Sequence, residues 1–94
     1  MRNYEVMFIL RPDLEDEALQ AATDKFRSII TSGGEIRKED VWGKRRLAYE
    51  IRRFREGYYV VIKFSATPDV VKELDRVLRI SDEVIRHLIV KDVA

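Results

Sequence analysis

Apolar residues recur along this chain in two rhythms, and the switches between them mark out the elements. Over Asn3–Leu10 they alternate: Tyr4, Val6, Phe8 and Leu10 share one parity, and Asn3, Glu5, Met7 and Ile9 the other. That is strand periodicity, and apolar residues on both parities predict a central strand with its second face partly covered. Arg11-Pro12-Asp13 ends it, since proline lacks the N–H that a ladder needs. From about Glu15 to Ser32 the spacing lengthens to three and four, with Ala18, Leu19, Ala22, Phe26, Ile29 and Ile30 striping one side of a helix. Acids at Glu15, Asp16 and Glu17 suit its positive end, and Gly33-Gly34 is expected to end it in a left-handed conformation.

A second strand is predicted over Glu35–Ile51, with Gly43 marking a bulge or bend inside it. Beyond Gly43 the alternation favours Leu47, Tyr49 and Ile51 inward. The polar run Arg52–Glu56, followed by Gly57, reads as a hairpin loop. It leads to a third strand, Tyr58–Ala66, with Val60, Ile62 and Phe64 on one face and Tyr59, Val61, Lys63 and Ser65 on the other. Thr67-Pro68-Asp69 opens a second helix, threonine to cap the free N–H groups and proline at the first helical position. Val70, Val71, Leu74, Val77 and Leu78 stripe it as far as Ile80. After the polar turn Ser81–Glu83 come a fourth strand, Val84–Val90, and a short tail, Lys91–Ala94.

A β-α-β-β-α-β order with right-handed crossovers puts both helices on one face of an antiparallel sheet. The expected fold is therefore α+β: a ferredoxin-like sandwich of four antiparallel strands and two helices, strands one and three central, with residues 1–94 as one domain. The other face of the sheet is left bare. With Val6, Phe8, Ile62 and Phe64 turned to the helices, that face shows Met7, Ile9, Tyr59 and Val61. If Leu88 and Val90 point inward, Ile89 joins them, with His87 and Lys91 close by. An apolar patch with a cationic margin marks an interaction site; the plainer reading is that exposed aliphatic strand residues are common.

Composition narrows the function. At 94 residues, 46% hydrophobic and 37% charged, the chain suits a soluble globular protein with one core. Its formal net charge is only +1, but the signs are segregated. Asp13, Glu15, Asp16, Glu17 and Asp24 gather around the first helix. Between Gly43 and Tyr59, Lys44, Arg45, Arg46, Arg52, Arg53 and Arg55 face only Glu50 and Glu56, with Tyr49, Phe54, Tyr58 and Tyr59 among them. Such a segment can neutralise phosphates and stack on unpaired bases; it can equally be a solvated, arginine-rich hairpin. The lack of cysteine excludes disulfides and thiolate metal sites and suits a reducing compartment. No apolar run approaches the ~20 residues a bilayer demands, so no membrane partner is expected.

Catalysis finds little support. His87 has no cysteine partner, and neither a Gly-x-Ser-x-Gly elbow nor a phosphate-binding Gly-rich loop is present. No catalytic residue, metal, cofactor or small-molecule substrate is expected. Trp42 beside Gly43 reads as a structural edge anchor, with base stacking as the alternative. An RNA-recognition motif shares the β-α-β-β-α-β order. Against its third-strand signature Gly57, Tyr58 and Val61 fit, but the cation, the small residue and the later aromatics do not.

Four stretches, MRNYEVMFILRPDL, WGKRRLAYEI, GYYVVIKF and LRISDEVIRHLIVK, cover nearly the whole chain. In that order they closely resemble protein six of the bacterial small ribosomal subunit. The resemblance implies the same ferredoxin-like fold and a structural, non-catalytic role in the cytoplasm, on the ribosome. It implies binding to the central domain of small-subunit ribosomal RNA, independent of primary sequence, as a heterodimer with protein eighteen of the same subunit. Many members continue into a longer, often acidic tail; here Val93-Ala94 closes the sequence. On this reading Arg2, Lys44, Arg45, Arg46, Arg86 and Lys91 contact phosphates and sugars, which fixes position without reading bases. With a net charge near zero the chain alone is expected to bind RNA poorly, so a cationic partner docks on the apolar sheet face or the hairpin. A reading from another class is a self-associating or small-molecule-binding regulatory module of the same fold. A third, an acylphosphatase-like enzyme, lacks the anion-cradling Gly-rich loop after the first strand, where Arg11-Pro12-Asp13 stands.

Overall fold

The computed structural model describes residues 1–92. Its elements are β1 (Arg2–Leu10), α1 (Asp16–Thr31), β2 (Gly34–Ile51), β3 (Phe54–Ala66), α2 (Pro68–Ile80) and β4 (Val84–Lys91). The strands form one antiparallel sheet in the order β2-β3-β1-β4, so β1 and β3 are central. Of the tail expected over 91–94, Lys91 is the last residue of β4, and Val93 and Ala94 lie outside the described residues.

Both helices pack on one face, as the ferredoxin-like order requires. Val6, Phe8 and Leu10 of β1 and Val60, Ile62 and Phe64 of β3 meet Leu19, Ala22, Phe26 and Ile30 of α1 and Val70, Leu74 and Leu78 of α2. Phe8 and Phe26 touch edge to face, ring centroids 5.1 Å apart. Each of the valines, leucines, isoleucines and phenylalanines among them contributes about 1.5–3 kcal/mol by leaving water. Thr23, buried in this layer, is satisfied by donating its hydroxyl to the Leu19 carbonyl at 2.8 Å.

The helix ends are made differently from the expectation. Gly43 is the one glycine at positive φ among the described residues, so Gly33 and Gly34 do not supply a left-handed stop. They are small for reasons of space. A Cβ on Gly34 would strike the Ser65 carbonyl and Ala66, and one on Gly33 would lie 2.7 Å from Val70 Cγ2. Thr67 has the extended backbone of a cap, but its hydroxyl makes no capping bond. Its carbonyl instead accepts from the N–H groups of Val70 and Val71, at 3.1 and 3.3 Å.

The strands depart from simple alternation in three places that matter for function. First, the loop expected over 52–57 is only Arg52-Arg53. Ile51 pairs with Phe54, and both arginines sit at positive φ, 51° and 70°. Positive φ at both central residues is the geometry of a type I′ hairpin turn, whose right-handed twist matches the strands. Second, β2 slips register around Gly43, where the expected bulge lies with φ 78°, and again where residues 47–50 stand opposite Arg55 alone. There the chain leaves the ladder. Leu47 turns to the face away from the helices and packs with Ile9 and Ile85, with Ile51 beside them, while Tyr49 is exposed. None of Leu47, Tyr49 and Ile51 joins the helix-side core.

Third, β4 carries a bulge. Leu10 pairs with Val84 and Ile9 with Arg86, leaving Ile85 extra. An extra residue reverses the parity of everything after it. His87, Ile89 and Lys91 therefore oppose Phe8, Val6 and Tyr4 on the helix side, and Arg86, Leu88 and Val90 oppose Ile9, Met7 and Glu5 on the open side. The expectation that Ile89 lies on the bare face is overturned; it packs against the helix-side core.

Candidate nucleic-acid and partner interface

Cross-strand pairing orders the open face into rungs. One runs Gly43–Tyr59–Ile9–Arg86, the next Asp40–Val61–Met7–Leu88, and the next Lys38–Lys63–Glu5–Val90. Pairing keeps partners on the same face of a sheet, so apolar and charged residues share one surface. Of the residues expected to receive a partner, Met7 and Tyr59 are half-buried, while Ile9 (3% exposed) and Val61 (9%) form the floor beneath them. The accessible apolar area belongs to Trp42, Leu88 and Val90, which sequence reasoning did not place there. For Trp42 the neighbouring Gly43 bulge was a usable signal. For Leu88 and Val90 there was none, because the β4 bulge contains neither glycine nor proline.

Two arginines are held across this face. Trp42 stacks on Tyr59 with centroids 5.9 Å apart and planes 13° from parallel, and the Arg45 guanidinium lies 5.3 Å from the Trp42 ring centroid. Arg86 donates to the Tyr49 hydroxyl, its guanidinium 5.7 Å from that ring centroid. The 47–50 excursion thereby roofs a cleft of ≈ 250 Å³ over Met7, Ile9 and Tyr59. A cation resting on an aromatic face keeps donors free for a second partner.

The six cations expected to meet RNA do not converge on one point. Lys44, Arg45 and Arg46 lie on the edge strand β2 opposite Tyr58, Gly57 and Glu56, and Arg86 lies in the adjoining rung. Arg2 and Lys91, opposite Ala66 and Tyr4, mark the other end of the sheet. Alternation also turns Lys44 and Arg46 to the helix side and Arg45 to the open side. All six are exposed, and none joins an ion pair among the described residues, whereas Arg11, Arg27, Arg37, Arg55, Arg76 and Arg79 all do.

The paired charges are structural. Arg27 of α1 is bound by Asp24 and by Glu39 of β2, and the Glu39 hydrogen bond foremost raises its pKa. His87 Nε2 meets Asp75 Oδ1 of α2 at 2.8 Å, so the lone histidine ties β4 to a helix. Among the described residues no three acids or histidines gather as metal ligands.

Likeness to known proteins agrees with this geometry. The family model for ribosomal protein S6 matches residues 3–91. The small ribosomal subunit protein bS6 of Moorella thermoacetica is 58% identical over 92 residues, spanning 97% of this chain and 94% of that protein. Its counterpart in Clostridium kluyveri is 54% identical over 93 residues, 98% of each. The crystal structure of 30S ribosomal protein S6 from Thermotoga maritima matches with a TM-score of 0.91 at 34% identity, over 97% of this chain and 87% of that one. Sequence and fold thus coincide over nearly the full length: the chain belongs to the ribosomal protein S6 family, constituents of the small ribosomal subunit in the bacterial cytoplasm.

Proposed function

We propose that this chain acts without catalysis, binding the central domain of small-subunit ribosomal RNA as a heterodimer with protein eighteen of that subunit. One observation carries the reading. The sheet face without helices exposes Trp42, Leu88 and Val90 on the same surface as Arg45 and Arg86, so a partner covering the apolar centre leaves cations at its margin. Lys44 and Arg46 extend that margin around the β2 edge, and Arg2 and Lys91 serve RNA at the far end. A net charge of +1 gives the free chain little pull on a polyanion, so the partner must add positive charge.

The test is a titration of a central-domain RNA fragment at several salt concentrations, with and without protein eighteen. The heterodimer binds far more tightly than this chain alone, and Leu88→Asp prevents the heterodimer from forming. Lys44→Ala/Arg45→Ala/Arg46→Ala lowers the slope of log affinity against log salt by about 0.7–0.9 for each phosphate no longer neutralised. An unchanged slope in the triple variant removes the basic segment from the mechanism.

A further inference from the structure

The two edges of the sheet are guarded unequally. An edge strand leaves every second residue's N–H and C=O unpaired, and proteins blunt such edges with bulges, prolines or charge. β2, at one edge, slips register between Ile36 and Lys38, between Val41 and Gly43 and again after Arg46. β4, at the other, has its one irregularity at Ile85, and from Arg86 to Lys91 it pairs with β1 without a break. That stretch holds neither glycine nor proline and carries Leu88-Ile89-Val90 in a row. The phase of its bonding is fixed by the Asp92 N–H, which donates to the Asn3 carbonyl at 2.9 Å. Counting back by twos, Val90, Leu88 and Arg86 turn their backbone groups to β1. Lys91, Ile89 and His87 turn theirs outward, where no other strand meets them among the described residues.

The side chains beside this free edge select what pairs with it. On the helix side a groove of ≈ 320 Å³ runs between β4 and α2, floored by half-buried Tyr4, Val71 and Ile89 and rimmed by Lys72 and Lys91. Both lysines are exposed, and neither joins an ion pair among the described residues. The one carboxylate on the groove, Asp75, is already held by Arg79 and His87. On the open side the same strand exposes Leu88 and Val90. A strand added here therefore meets cations on one face and aliphatic carbons on the other. Side chains alternate along a strand, so a partner with carboxylates at one parity and aliphatic residues at the other matches both.

We propose that the free edge of β4 takes up an acidic, extended segment of another polypeptide as a fifth strand, bonded to the backbone of His87, Ile89 and Lys91, with carboxylates over Lys72 and Lys91. In such additions main-chain bonds supply affinity and alternate side chains supply selectivity. A phosphate backbone would use the lysines but leave the outward amides and the aliphatic carbons unmatched, so the edge favours protein over RNA. The inference stands apart from the RNA-binding reading. Lys91 serves both, so Lys72, which that reading does not use, tells them apart.

The probe is a capped peptide of alternating glutamate and valine, titrated into the free chain and followed by amide hydrogen exchange. Exchange slows at His87, Ile89 and Lys91 and stays as it was at Arg86, Leu88 and Val90, whose N–H groups are already bonded to β1. Lys72→Glu weakens the peptide by up to about fivefold, the range of an exposed ion pair, and narrows its advantage over a lysine–valine counterpart. Lys91→Pro removes one outward N–H at a position where an edge tolerates proline, and it weakens the peptide more than Lys91→Gln does. No binding of the glutamate–valine peptide overturns the proposal, as does equal binding of the lysine–valine peptide or protection without the alternation. If Lys72→Glu instead lowers the salt slope of the heterodimer on the RNA fragment while the peptide leaves exchange unchanged, the groove belongs to the RNA surface and the proposal falls.

Discussion

Gly57 shows how one missing side chain shapes the hairpin end. It is buried, and a Cβ there would overlap Ile9 Cγ2 and come within 3.5 Å of Leu47 and Ile85. Ile9 is β-branched and stiff at χ1, so it cannot swing aside. Gly57→Ala should cost about 1–3 kcal/mol through overpacking, read as a lower urea midpoint at constant m-value. Charge acts more gently. Arg11 forks onto Asp13 at 3.2 and 3.0 Å, and that hydrogen bond, followed by the positive charge, holds the Asp13 carboxyl below its ordinary range. A carboxylate with a depressed folded pKa stabilises fully above its unfolded value, and the contribution disappears as pH falls through the folded one. Melting temperature should therefore decline less steeply below about pH 4 in Asp13→Asn than in the parent. Both groups face solvent, so the difference is small.

At the scale of elements, the two faces of β4 make separate demands. Ile89 belongs to the helix-side core and Leu88 to the open face. Ile89→Ala should destabilise by about 2 kcal/mol or more, whereas Leu88→Ala should move stability by no more than about 0.5 kcal/mol. Chemical denaturation of the two variants measures the parity directly; equal destabilisation would contradict the bulge at Ile85. How far such elements could be read beforehand depends on what interrupts them. β1, α1, β3 beyond Gly57 and α2 are unbroken in rhythm, and their inward residues follow from it. Gly43 announced its bulge because glycine alone sits comfortably at φ 78°. The Ile85 bulge and the Arg52-Arg53 turn use residues that do not advertise those conformations, so they reversed one face and shortened one loop without a trace in the pattern.

Across the whole molecule, central strands and open face should differ in how readily they exchange. Val6 and Phe8 of β1 and Ile62 of β3 lie in paired strands under both helices, whereas residues 47–50 stand outside the ladder. Amide hydrogen exchange should be slowest at the former and fastest at the latter, since local opening follows burial and pairing. Docking of protein eighteen should slow exchange over Trp42–Tyr49 and Arg86–Val90 and leave α1 as it was. Unchanged rates on the open face, or protection over α1, would place the partner elsewhere.

The order of elements, the two-layer architecture, the inward faces of the unbroken strands and helices, and the family were all determined by the amino-acid sequence. Periodicity and motif spacing are local properties, and each element expresses them before it meets another. Which face β4 turns outward and where Leu47 comes to rest were decided only in the tertiary structure. Those outcomes depend on pairing register across strands distant in the chain, and a single unpaired residue there redirects every side chain that follows.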